Sequence, residues 1–176
     1  MSTPALAVPL PRPATYVIAE SALGAVLVAA TERGVCAILM DDDPARLVGE
    51  LHRRFPAAEP AAAGDGRLGD LAFRAVRLVE GAGGDAIPLD PRGTAFERRV
   101  WSAIADIPPG SVVTYAELAS RIGAPGSARA VARACASNLL AVAIPCHRVV
   151  RSDDDLAGYR WGLTRKRELL AREAAA

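Results

Sequence analysis

One short stretch holds the residue types that could do chemistry. Ile144-Pro145-Cys146-His147-Arg148-Val149-Val150 sets a thiol between a proline and an imidazole, with a guanidinium next, after the apolar run of residues 139–144. A thiolate is a strong nucleophile, but a free thiol of pKa about 8.5 is only slightly ionised near neutrality. An attacking cysteine therefore needs a base, a cation or a helix N-terminus beside it. His147 and Arg148 are the neighbours that could serve. The plainer reading makes Cys146 a small hydrophobe in a buried strand, as free cysteines commonly are.

The rest of the composition narrows the chemistry. The three cysteines, Cys36, Cys135 and Cys146, are too widely spaced for a disulfide framework or a paired metal site. They suit a reducing compartment. The only two histidines are His52 and His147, so no histidine-based zinc site is expected. Residues 94–176 hold twelve basic and eight acidic side chains, a net of +4 within a chain of +1, which leaves −3 for residues 1–93. A basic second half suits a phosphate-bearing partner, though +4 is modest. No apolar run approaches a membrane span. Residues 1–15, broken by Pro4, Pro9, Pro11 and Pro13, lack the pattern of a signal peptide and read as a disordered tail on a cytoplasmic protein.

The length of 176 residues fits one large domain or two small ones, and 51% hydrophobic residues can fill a core. Residues 16–40 read as three antiparallel strands, with Cys36 packed inside the third. Asp43 caps a helix with Pro44 in its first position, and Leu47, Leu51 and Phe55 form its apolar stripe, with His52 beside it at the surface or boundary. An Ala/Pro/Gly loop, residues 57–65, precedes a second helix bearing Leu68, Leu71, Ala72, Ala75 and Val79. The turn at residues 90–93 separates an N-terminal α/β domain, 16–90, from a C-terminal domain, 94–176.

In that second half, Thr94 with Glu97 and Thr114 with Glu117 form capping boxes. Helices on either side of Gly123 and Gly126 give a helix-turn-helix pattern, with Ser127 as the cap of the second. That second helix, residues 128–137, is alanine-rich, with Arg129 and Arg133 on one face and Val131 and Cys135 on another. A helix without bulk and with two arginines can approach a DNA backbone closely. The last helix runs from Thr164 to about Glu173. Glu173 is a boundary residue unless the fold brings it to His147.

Residues 94–176 closely resemble the O6-alkylguanine-DNA alkyltransferases, the methylated-DNA–protein-cysteine methyltransferases. The likeness is carried by residues 92–96, Ile107-Pro108-Pro109-Gly110, Thr114-Tyr115, Ala128-Arg129-Ala130-Val131, Asn138, residues 144–150 and Gly158-Tyr159-Arg160-Trp161-Gly162. The Arg160-Trp161 pair and the segment from Asp43-Pro44 to Arg54-Phe55-Pro56 are most similar to the C-terminal part of the bacterial Ada protein. The resemblance implies an α+β chain. A ribonuclease-H-like N-terminal domain, a small antiparallel sheet with helices, would precede a helical domain with a winged helix-turn-helix.

The resemblance also implies roles. A monomer would bind double-stranded DNA containing O6-alkylguanine through Ser127, Ala128, Arg129, Ala130, Arg133 and Thr114, with Arg129 entering the stack vacated by the flipped base. Cys146 would take the alkyl group irreversibly, deprotonated by His147 through a water, with Glu173 orienting the imidazole and no metal or cofactor needed. Tyr115 would bond guanine N3, and Asn138 would tie the helix end to the active-site loop. The backbones of Cys146 and Val149 would accept from the exocyclic amine, while Tyr159, Arg160 and Trp161 would line the pocket. Trp161, where some relatives have glycine, would narrow the mouth and favour methyl over bulky groups. Ala157 also replaces a glycine, and residues 152–155 (Ser-Asp-Asp-Asp) depart from the family's glycine-bearing turn, which is expected to survive. Two rivals stand beside this: a DNA-binding module without chemistry, whose known members lack the cysteine, and a cysteine hydrolase, for which no oxyanion hole is evident.

Overall fold

The computed structural model describes residues 13–83, 86–152, 156 and 158–175. Strands β1 (Thr15–Ser21), β2 (Gly24–Ala30) and β3 (Val35–Asp41) form the expected antiparallel meander. Gly24 makes the first turn possible, because its φ is +99° and a Cβ there would lie 2.7 Å from Asp42 Oδ1. Helix α1 (Pro44–Arg54) packs on β2 and β3, and α2 (Gly66–Val79) on β1 and β2. Asp43 caps α1 by accepting from Ala45 N at 2.9 Å. His52 is exposed, its Nε2 3.0 Å from Ala58 O.

Two details differ from the sequence reading. Within the expected loop, β4 (Glu59–Pro60) pairs in parallel with β1, giving the order β3-β2-β1-β4. A proline is tolerated there because the strand lies at the sheet edge. The tail is also shorter at its inner end: Ala14 is buried and Thr15 begins β1. Residues 1–12, the acidic positions 153–155 and Ala157 lie outside the described residues.

The second half contains α3 (Ala95–Ala105), β5 (Val113–Thr114), α4 (Tyr115–Arg121), α5 (Ala128–Ser137), β6 (Val149–Val150) and α6 (Leu163–Ala175). Both capping boxes form, at Thr94 with Glu97 and at Thr114 with Glu117. Ser127 is a correction: it precedes α5, but its side chain makes no cap hydrogen bond. Helices α3 and α4 both pack on α5, and Trp101 Nε1 donates to Ala134 O at 2.7 Å. β5 and β6 pair in parallel, joining the start of α4 to the segment after Cys146.

The turn at residues 90–93 is not a free linker. Asp90 N donates to Val35 O at 2.8 Å, and its carboxylate accepts from Thr31 and Arg92. The chain after α5 is also sewn onto β3: Ile38 N donates to Leu139 O at 2.7 Å, and Ala141 N to Ile38 O at 3.0 Å. The N-terminal sheet therefore anchors the loop that leads to Cys146. From α6, Arg165 reaches Leu23 O and Asp42, and Arg172 reaches Val79 O. No helix of the described residues is long and apolar enough to cross a membrane.

Candidate active site

The apolar run leading to Cys146, which the plainer reading takes into a buried strand, is instead a tight loop followed by one 3-10 turn, Cys146–Arg148. Val142 has φ +59°, a left-handed conformation that β-branched residues rarely adopt. Two groups of bonds hold this shape: the pairing with β3 on one side and Asn138 on the other. Asn138 caps α5 and is 1% exposed. Its Oδ1 accepts from Leu140 N at 2.8 Å, while Nδ2 donates to Ile144 O and to Cys146 Sγ, each at 3.1 Å. A carboxamide can do this because it carries donor and acceptor on one planar group.

The fold brings Glu173 of α6 to His147, with Nε2 2.6 Å from Oε1. Arg148 holds the same carboxylate: Nε lies 3.1 and 3.0 Å from its two oxygens, and Nη2 2.9 Å from Oε1. Gly110 N adds a bond to Oε2 at 3.2 Å. Burial pushes the Glu173 pKa up, but the bonds from His147 and Arg148 outweigh it and bring it down to about 2. Arg148 and Gly110 stabilise the anion whatever the charge on the imidazole. Burial in turn pushes His147 below its ordinary value, against the pull of Glu173, so the ring is neutral at neutral pH. A neutral ring facing a carboxylate through Nε2 must carry its proton there. Nδ1 then holds the lone pair, and it is buried without a protein partner among the described residues.

Cys146 is 5% exposed, at the wall of a cleft of about 670 Å³. A hydrogen bond with the Cys135 thiol, and then burial, raise its pKa well above the ordinary value, while Asn138 and the charge of Lys166 pull the other way. The resting sulfur is therefore a neutral thiol. Thr114 and Tyr115, at the start of α4, form one side of the cleft, and Ala128, Arg129, Ala132, Cys135 and Ala136 of α5 another. The small side chains fall at the spacing of one helical face. Burial pushes the Tyr115 hydroxyl up to about 12, leaving it a hydrogen-bond donor. Tyr159 also lines the cleft, its ring edge-on to His147 at 6.3 Å, and burial raises its hydroxyl further still. Arg160 lines it as well, held by Glu50 of α1 at 2.8 Å and bonded to Ala136 O.

Two expected pocket residues lie elsewhere. Trp161 is 4% exposed and is not among the described residues lining the cleft; it packs behind Tyr159 at 5.2 Å, so its bulk supports that ring rather than narrowing the mouth. Val149 is fully buried in β6, and its carbonyl accepts from Lys166 Nζ at 2.7 Å. Ser127, Ala130 and Arg133 are also outside the lining; Arg133 is exposed on α5. Three contributors escaped the sequence reading: Arg148 on Glu173, Cys135 against Cys146, and Lys166, which is fully buried and bonds both Val149 O and Leu156 O. Only the alanine and cysteine spacing of α5 could have signalled one of them.

The comparisons agree with this architecture. Residues 95–175 match the family model described as 6-O-methylguanine DNA methyltransferase, DNA binding domain. The chain is 52% identical over 165 residues to the bifunctional transcriptional activator/DNA repair enzyme Ada of Escherichia coli, covering 90% of this chain and 45% of that protein. It is 52% identical over 87 residues to the methylated-DNA–protein-cysteine methyltransferase of Mycolicibacterium paratuberculosis, covering 49% of this chain and 53% of that protein. The chain thus spans about half the length of these relatives. A crystal structure of Mycobacterium tuberculosis OGT in complex with DNA superposes with a TM-score of 0.77 and 31% identity, over 92% of this chain and 93% of that one. With the same mixed α+β architecture shared across nearly the whole of both chains, this protein belongs to the 6-O-methylguanine DNA methyltransferase family.

Proposed function

We propose that the chain repairs duplex DNA by moving the alkyl group of O6-alkylguanine onto Cys146. The observation that carries this is the ordered relay behind the sulfur: a neutral imidazole next to Cys146, its Nε2 on an anionic Glu173 and its Nδ1 free to take a proton. His147 removes the thiol proton through a water, and the sulfur attacks the O6-bound carbon in line. The carbon–oxygen bond breaks as the carbon–sulfur bond forms. Tyr115, a donor in the cleft wall, bonds the guanine and helps the leaving base accept a proton. A thioether has no route back to a thiol here, so each molecule acts once.

A purine inside a duplex cannot reach a buried sulfur, so the base must be flipped into the cleft. The exposed Arg129, at the cleft rim on an alanine-rich helix, is placed to fill the vacated stack. We read α4 and α5 with the β5–β6 pair as a winged helix-turn-helix, and the sheet with α1 and α2 as a ribonuclease-H-like domain ending near residue 90.

The test is to incubate the protein with duplex DNA containing O6-methylguanine and to weigh it. The expected result is one added methyl on the peptide holding Cys146; DNA binding without mass gain would support the non-transferring rival. The rate should be flat through neutrality and fall in acid as His147 protonates. Because burial lowers that pKa, the fall should begin below the ordinary imidazole value of about 6.5. A stopped-flow pH profile with its acid limb above that value would contradict a buried neutral base.

A further inference from the structure

We infer that Cys135 and Cys146 form a reversible modification site, closed into a disulfide by peroxide-class oxidants entering the cleft. The functional consequence rests on the alkyl-transfer reading above; the bond itself does not. The two thiols come from separate elements, α5 and the 3-10 turn, and Asn138 ties them together: its N donates to Cys135 O at 3.3 Å and its Nδ2 to Cys146 Sγ at 3.1 Å. Both line the same cleft, at 8% and 5% exposure, so a molecule the size of hydrogen peroxide can reach them. Cys36 differs in every respect: it is 1% exposed in β3, and its Sγ lies 3.5 Å from Ala29 O.

The relay that prepares the sulfur for attack on carbon serves equally for attack on a peroxide oxygen. His147 takes the Cys146 proton. The sulfur bonds one peroxide oxygen, the oxygen–oxygen bond breaks, and the departing hydroxide gains a proton and leaves as water. Cys146 is then a sulfenic acid. The Cys135 sulfur attacks that sulfur, the sulfur–sulfur bond forms, and the hydroxyl leaves with the Cys135 proton as a second water. Two thiols are oxidised and one peroxide is reduced. Without a second thiol, a sulfenic acid can proceed to the sulfinic acid, which thiols do not reverse. For a protein that acts once, a neighbouring thiol turns permanent loss into a recoverable state.

The test exposes the full chain to hydrogen peroxide at neutral pH without DNA, followed by intact-mass and peptide analysis. The expected product has lost two hydrogen masses and yields a Cys135–Cys146 cross-linked peptide, both reversed by dithiothreitol. Cys36→Ser should behave identically, and Cys135→Ala should instead accumulate oxygen on Cys146 that dithiothreitol does not remove. Methyl transfer by the unsubstituted protein should disappear on oxidation and return on reduction. Oxygen added to Cys146 while Cys135 stays free, or a disulfide involving Cys36 or a second chain, would overturn the proposal. The mass readout uses no DNA, so it can fail or succeed independently of alkyl transfer.

Discussion

Cys146→Ser is expected to abolish alkyl transfer while leaving the protein folded and able to bind DNA. Removing a nucleophile from a working relay costs on the order of 10⁶-fold in rate. Serine fits the space, and Asn138 Nδ2, 3.1 Å from the sulfur, can donate to the new hydroxyl. Its proton is far harder to remove than that of a thiol, and His147 has only an ordinary imidazole's basicity or less. Loss of stability should stay near about 1 kcal/mol, because the added polar atom keeps a partner. Mass spectrometry after incubation with O6-methylguanine duplex measures the first effect, and thermal unfolding the second. Any methyl gained by the serine variant would place the acceptor elsewhere.

Glu173→Gln has the next largest expected effect, and it acts in three ways. The amide keeps the shape but removes the charge on which Arg148 and Gly110 N converge. The Arg148 side chain is 12% exposed, so it would be left mostly buried without its counter-charge. Breaking such a pair costs about 3 kcal/mol, a Tm drop of roughly 10 °C for a chain of this size. The rate should fall about 10² to 10³-fold as the imidazole loses its orientation and support. A third effect separates catalysis from structure. Glu173 raises the His147 pKa, so its loss should move the acid limb of the rate profile to lower pH. A purely structural role would lower Tm and leave that limb in place. Glu173→Asp should recover part of the rate. In the unsubstituted protein, stabilisation by Glu173 is complete above its unfolded pKa of about 4.3 and is lost as pH falls through about 2.

Local chemistry was legible in the chain because it is written in adjacent residues. The two capping boxes, the Asp43–Pro44 start of α1 and the three long strands follow from spacing alone, and each forms where the spacing puts it. The candidate nucleophile and base were legible too, since Cys146 and His147 are neighbours. β4 was not, because a two-residue edge strand has no periodicity to read. Nor was the loop at residues 139–145: an apolar run looks like a strand until β3 and Asn138 bend it, holding Val142 in a conformation its own side chain disfavours.

By itself, then, the sequence determined which atoms could react and which helix presents small side chains and arginine. Only the tertiary structure decided what those atoms can do. It carried Glu173 across 26 positions to His147 and set Arg148 behind it, which fixes the tautomer and the charge of the pair. It packed Trp161 behind Tyr159, gave the Val149 carbonyl to Lys166, and set Cys135 and Cys146 in one cleft wall. The reason is physical: side-chain identity is local, but protonation state, accessibility and aim depend on burial and on partners distant in the chain.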